Sequence, residues 1–155
     1  TGMGAETASR IRRAGRHEAG TAAEILLRSR RASVPAIPPL VHAEDDAKEH
    51  FAETIRQSAD VWVVEADDAI AGVMVLNGNW VDQLYIDPDW TGQGLGSSLI
   101  DKAKTEYPEI LELWTFESNV GAQRFYERHG FIAVGRTAGE NEEGAPDIHY
   151  RWVSP

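Results

Sequence analysis

The chain has 155 residues, no cysteine and a formal net charge of −10, which suits one globular domain and excludes disulfides, thiolate metal sites and a cysteine nucleophile. The acidic balance speaks against nucleic acid as the main ligand, because phosphate binding needs a basic face. No apolar run reaches the ~20 residues that span a bilayer, and no signal-peptide pattern opens the chain, so no membrane role and a cytoplasmic location are expected.

The opening Thr1-Gly2 reads as a cloning remnant ahead of a native Met3, and residues 1–8 as that remnant with a disordered start. Residues 9–14 suit a short first strand. Residues 17–31 carry an apolar stripe at Ala22, Ala23, Ile25 and Leu26 and are expected to be helical. The prolines from Pro35 to Pro39 break that helix. A second helix is expected over 44–58, with Ala47, Phe51, Ala52 and Ile55 on one side and acids at its beginning. Residues 61–65 and 69–76 read as a hairpin turned at Asp67-Asp68. Asn77-Gly78 is a strong hairpin turn, leading into a strand over 80–86. A turn, a helix over 94–106, a strand over 111–116 and a helix over 119–129 follow, the last closed by Gly130. Residues 131–135 and 148–153 read as two final strands. The order predicts one α/β (α+β mixed) domain over 1–155, with a central twisted mixed β-sheet of six to seven strands flanked by about four helices.

Charge is distributed unevenly. Arg10, Arg12, Arg13, Arg16, Arg28, Arg30 and Arg31 cluster early, and acids dominate from Glu44 to Asp68. An acidic surface keeps a protein in solution and can also steer protonated amines.

The segment from Leu84 to Ile100 carries the most chemistry: a strand, a proline turn, then Gly92, Gly94 and Gly96 at alternate positions before an amphipathic helix. Glycines allow positive φ and close backbone approach, and the amides that open a helix form an anion site suited to a pyrophosphate. The dinucleotide pattern fails, because Ser97 and Leu99 stand where its third glycine belongs. The P-loop pattern fails for want of a lysine.

Thr91-Gly92-Gln93-Gly94-Leu95-Gly96 resembles the acyl-CoA pyrophosphate loop of the GNAT N-acetyltransferase superfamily, although Thr91 replaces the usual Arg or Gln. Asn119-Val-Gly-Ala122-Gln-Arg-Phe125-Tyr126-Glu-Arg-His-Gly-Phe131 resembles a second segment of that family, about one βα unit downstream. The resemblance covers residues 60–135. It implies a GNAT-like fold, acetyl-CoA as donor and a primary amine of a small molecule or peptide as acceptor, attacked directly. A homodimer accords with it as well. It implies that amides of Leu84, Tyr85 and Ile86 hold the pantetheine arm, and that the backbone from Thr91 to Ser97 holds the pyrophosphate. Asn119, Ala122 and Phe125 complete the donor side. It makes Tyr126 the general acid for the departing thiolate, as a positioned O–H donor beside developing charge requires. Asn119 also reads as a helix N-cap, and Phe125 and Tyr126 as core aromatics.

The amine must be neutral to attack, so a base is needed. Asp82 and Glu112 are the first candidates, each sharing strand alternation with an aromatic residue: Asp82 with Trp80 and Leu84, Glu112 with Trp114 and Phe116. His42, Glu142, Glu143 and Asp147 come next. Trp80, Trp114, His42 and Glu143 are expected on the acceptor side, with core packing an equal reading for the tryptophans. His17, His42, His50, His129 and His149 are scattered without metal-ligand spacing. Two rival functions remain: a non-catalytic acyl-CoA-binding or regulatory module, and an acetyltransferase for protein or aminoacyl-tRNA amines. The early arginines are the only sequence support for the RNA version.

Overall fold

The computed structural model describes residues 9–33, 44–58, 60–139 and 144–155. Seven strands form one sheet in the order β1-β2-β3-β4-β5-β7-β6, with β1 Ser9–Arg13, β2 Val61–Ala66, β3 Ala69–Asn77, β4 Trp80–Ile86, β5 Ile110–Phe116, β6 Ile132–Arg136 and β7 Asp147–Val153. Four helices flank it: α1 Ala19–Ser33, α2 Glu44–Gln57, α3 Leu95–Glu106 and α4 Val120–Arg128. Strand number, helix number and order match the sequence expectation. All strand pairs are antiparallel except β4 with β5.

Period-two alternation sorts the strands into two cores. Trp62, Val64, Met74, Leu111, Leu113, Ile148 and Tyr150 meet Leu95, Leu99, Ile100 and Ala103 of α3 on one face. Val61, Val63, Val73 and Val75 meet Ala22, Ala23, Ile25 and Leu26 of α1 and Ala52 and Ile55 of α2 on the other. Turn chemistry sets the hairpins. Asp67 and Asp68 both adopt positive φ, 50° and 66°, as a two-residue turn demands, and Gly78 does so at 58°.

The early arginines answer the acids of the next segments. Arg10 and Arg12 both bond Glu65, Arg13 bonds Asp60, and Arg28 bonds Asp87 and Asp89. Arg10, Arg12, Arg13 and Arg28 thus serve internal pairs, which weakens the sequence support for an RNA-directed surface.

Arg12 makes a further pair, with Glu18, that contributes to stability. Between β1 and α1, a short 3-10 turn at Arg16–Glu18 precedes the helix, which therefore starts two residues later than the apolar stripe suggests. Arg12 grips Glu18 at both carboxylate oxygens, 2.8 and 2.7 Å, and the Gly15 N–H donates to Oε1 at 2.8 Å. Arg12 and this amide pull the Glu18 carboxyl down to about 2, against a desolvation that opposes them. The depressed pKa means that the stabilisation is complete above the unfolded value of 4.5 and is lost as pH falls toward 2. Glu18→Gln is expected to cost on the order of 2 kcal/mol at pH 7. The difference from the native chain should shrink at pH 3, as measured by urea unfolding at both pH values.

Candidate active site

The two halves of the sheet part at its centre. The parallel register between β4 and β5 holds one pair, Trp80 with Glu112, backed by the Glu112 N–H donating to Asn79 O at 2.9 Å. Past that rung the strands diverge and open a cleft. Val81, Asp82, Gln83, Leu84 and Tyr85 line it from β4, and Trp114, Thr115 and Phe116 from β5. Asn119, Ala122 and Tyr126 of α4 and Asp147 of β7 complete it.

A bulge in β4 shapes this wall. Gln83 pairs with Val75 and Val81 with Leu76, so Asp82 is an extra residue without a partner in β3. The bulge corrects the expected alternation of Asp82 with Trp80 and Leu84. Val81 and Leu84 both pack on the α3 side, while Trp80 points to the opposite face. Asp82 is thereby swung out of the pleat. It borders both the cleft and a second groove lined by Arg13, Gln57, Asn77 and Tyr107. Asp82 stays solvent-accessible, yet desolvation raises its carboxyl above the usual value despite a hydrogen bond with Asn77.

The glycine loop lies between β4 and α3. Gly92 and Gly94 have φ of 79° and 78°, and a Cβ on either would project into open space. Gly94 is the N-cap of α3 and brings no side-chain cap, so the first-turn amides keep their outward donors. This cradle fits a pyrophosphate. Gly96 differs from the expectation of a positive φ: it is helical, and its smallness serves packing, since a Cβ there would lie 3.3 Å from Phe125 Cζ. Thr91 Oγ1 bonds Pro88 O at 3.3 Å, and Leu95 is buried in the core. Ile86 packs against the same core, away from the cleft lining. Ser97 Oγ meets His129 Nε2 at 2.9 Å, joining α3 to the end of α4. Desolvation and nearby Lys104 lower the His129 pKa.

Tyr126 reaches the cleft from the last turns of α4. Its ring is fixed edge-on by Phe125 and Phe131, with centroids 5.2 and 5.6 Å away. Burial, with the Tyr85 hydroxyl as a smaller contribution, pushes its phenol well above the ordinary range. The group therefore carries its proton at neutral pH. Asn119 is the N-cap of α4, its Oδ1 accepting from the Ala122 N–H at 3.2 Å.

The other candidates are placed differently. Glu112 is not brought into the cleft. Its Oε1 takes bonds from Arg151 Nε at 2.9 Å and His149 Nε2 at 3.0 Å. Burial alone would raise its carboxyl, but Arg151 and His149 outweigh it and hold it below the usual range. Sequence alternation put Glu112 on the correct face but could not reveal partners on β7. Asp147 does line the cleft, and Thr137 Oγ1 donates to its carboxylate. His42, Glu142 and Glu143 lie outside the described residues. Trp80 sits behind the cleft, stacked with Trp114 and with His149. Along the sequence His149 and His129 are isolated histidines. The one signal for His149 is its parity, opposite to the buried Ile148 and Tyr150.

The acetyltransferase (GNAT) domain family matches residues 40–154. The chain belongs to the GNAT acetyltransferase family. Among its relatives, the peptidyl-lysine N-acetyltransferase YjaB of Salmonella typhimurium is 37% identical over 129 residues, covering 82% of this chain and 86% of that protein. The Escherichia coli protein of the same name is 36% identical over 129 residues, covering 82% and 84%. The solution structure of apo-form YjaB from Escherichia coli superposes with a TM-score of 0.80 at 27% identity, covering 96% of this chain and 99% of that one. The PaiA N-acetyltransferase from Thermoplasma acidophilum, solved in complex with coenzyme A, shares the fold with a TM-score of 0.69 at 18% identity, covering 94% and 99%. This GNAT member is thus an N-acetyltransferase that uses acetyl-CoA to acetylate an amine. Among the described residues no helix is long and apolar enough to cross a membrane.

Proposed function

We propose that this chain acetylates the ε-amine of lysine in a peptide or protein, with Asp82 as general base and Tyr126 as general acid. The observation that carries the reading is the meeting of these two groups in one cleft, a carboxylate whose proton affinity is raised and a phenol that is protonated at neutral pH. The peptidyl-lysine activity in the name of the YjaB relatives supports the acceptor class.

Acetyl-CoA, when bound, supplies an acetyl group activated as a thioester. The chain's own residues do the rest. The open edge of β4 from Leu84 to Ile86 offers backbone partners to an extended pantetheine arm. The cradle from Thr91 to Ser97 offers amides to the pyrophosphate. Asn119, Ala122 and Phe125 shape the α4 side. Asp82 carboxylate takes a proton from the incoming ammonium, and its raised pKa makes it a better acceptor than an ordinary aspartate. Tyr126 holds a proton at its phenol oxygen for the leaving sulfur. The cysteine-free sequence supports a cytoplasmic setting.

The test uses two peptides, one with a blocked N-terminus and a free lysine, the other with a free N-terminus and no lysine. Mass spectrometry after incubation with acetyl-CoA should find ε-acetylation. Modification of the N-terminal amine alone overturns the lysine reading. In the same assay kcat/KM should rise with pH as Asp82 loses its proton, through a pKa above the usual aspartate value. Asp82→Asn should lower kcat/KM about 100-fold and erase that limb.

A further inference from the structure

Three rings stack against one another on the sheet face behind the cleft. Trp80 and Trp114 are nearly parallel, with 6.5 Å between centroids and 16° between planes. His149 lies 5.0 Å from each, at 20° and 29°. The platform is braced from within the sheet. Glu112 fixes His149 through Nε2 at 3.0 Å, and Arg151 fixes Glu112 at 2.8 Å. Strand pairing sets the tiles in register, with Trp114 opposite His149 and Trp80 opposite Glu112. Trp114 is 46% exposed and is at once a tile of the platform and a wall of the cleft. A stabilising role alone would favour burying the Trp114 ring. Here it is held by its stacked neighbours and left exposed at the wall of the cleft.

We propose that this platform binds a basic side chain, Arg or Lys, that flanks the acceptor lysine in the substrate peptide. The inference rests on the lysine-acceptor reading above and specifies its sequence context. Charge complementarity selects the occupant. The chain carries a formal net charge of −10, and the cleft edge next to Trp114 carries Asp82 and Asp147. Arg151, which neighbours His149 through Glu112, is already paired with that carboxylate. Indole faces attract cations more strongly than other aromatic faces, and a guanidinium also stacks flat on them. The acids draw the basic peptide in, and the rings then hold the flanking residue at the distance that delivers the lysine to Asp82.

The test compares four blocked peptides that share one central lysine and differ in the flanking residue: Arg, Gly, Phe or Glu. Competition by the native enzyme should favour Arg over Gly by about 3- to 30-fold in kcat/KM, the range a cation–aromatic contact supplies. Trp114→Ala should bring that ratio near one. Trp114→Leu keeps apolar volume but lacks the ring, and should do the same if the smaller substitution disturbs folding. Equal rates for the Arg and Gly peptides, or a preference for Phe over Arg, overturn the platform while leaving lysine acetylation intact. A ratio that survives both substitutions also overturns it. Quenching of tryptophan fluorescence by the Arg peptide provides a binding readout independent of turnover. Arg-specific quenching without acetylation of any peptide would sink the lysine-acetylation reading and keep the platform. Neither quenching nor acetylation removes both.

Discussion

Tyr126→Phe is expected to lower kcat by about 10²- to 10³-fold while changing the acetyl-CoA dissociation constant by less than about threefold. The substitution keeps the ring, and with it the edge contacts to Phe125 and Phe131 that fix the end of α4. Only the O–H is removed. That O–H is held protonated by burial, so it is competent as a donor across the working pH range. A group that acts only as charge develops on the leaving atom contributes to the transition state and little to binding. Steady-state kinetics beside calorimetric titration separates the two. Native turnover in the variant would remove Tyr126 from the chemistry and leave it as a core aromatic.

Gly94→Val is expected to weaken acetyl-CoA binding by about 100-fold or more. Two costs combine. Gly94 has φ of 78°, a region that a β-branched residue occupies only with strain. Its added side chain would also stand in open space at the N-cap of α3, beside the amides where the phosphates are proposed to sit. Gly20→Ala is the control, because Gly20 lies in α1 with nothing near its added methyl. It should bind acetyl-CoA as the native chain does. Calorimetry with acetyl-CoA reads both, and native-like affinity in Gly94→Val would show that the phosphates lie elsewhere.

How much of this was legible in the sequence depended on the range of the interaction. Local signals carried the elements. Asp67-Asp68 and Asn77-Gly78 marked the hairpins because positive φ is a property of the turn itself. Asn119 marked the start of α4 because a cap is made within three residues. Glycines before a helix marked the cradle for the same reason. Contacts across the sheet were out of reach. The bulge at Asp82 exists only relative to β3, so alternation counted along β4 alone misplaced Leu84. Glu112 was assigned its face correctly, but its engagement by Arg151 depends on β7 pairing with β5. The histidines were read along the chain, where they are isolated, whereas His149 acquires meaning from two tryptophans on other strands. The early arginines looked like a basic patch until their acids, some fifty residues on, were seen to face them.

The single rung between β4 and β5 has a mechanical consequence. The sheet amounts to two plates hinged on one line, and the backbone groups that would lock them are the ones left for an extended ligand. A donor lying along that gap, as proposed above, would complete the ladder as a temporary eighth strand. Occupancy and rigidity then become one variable, and this chain should be stiffest at its centre only while it is loaded.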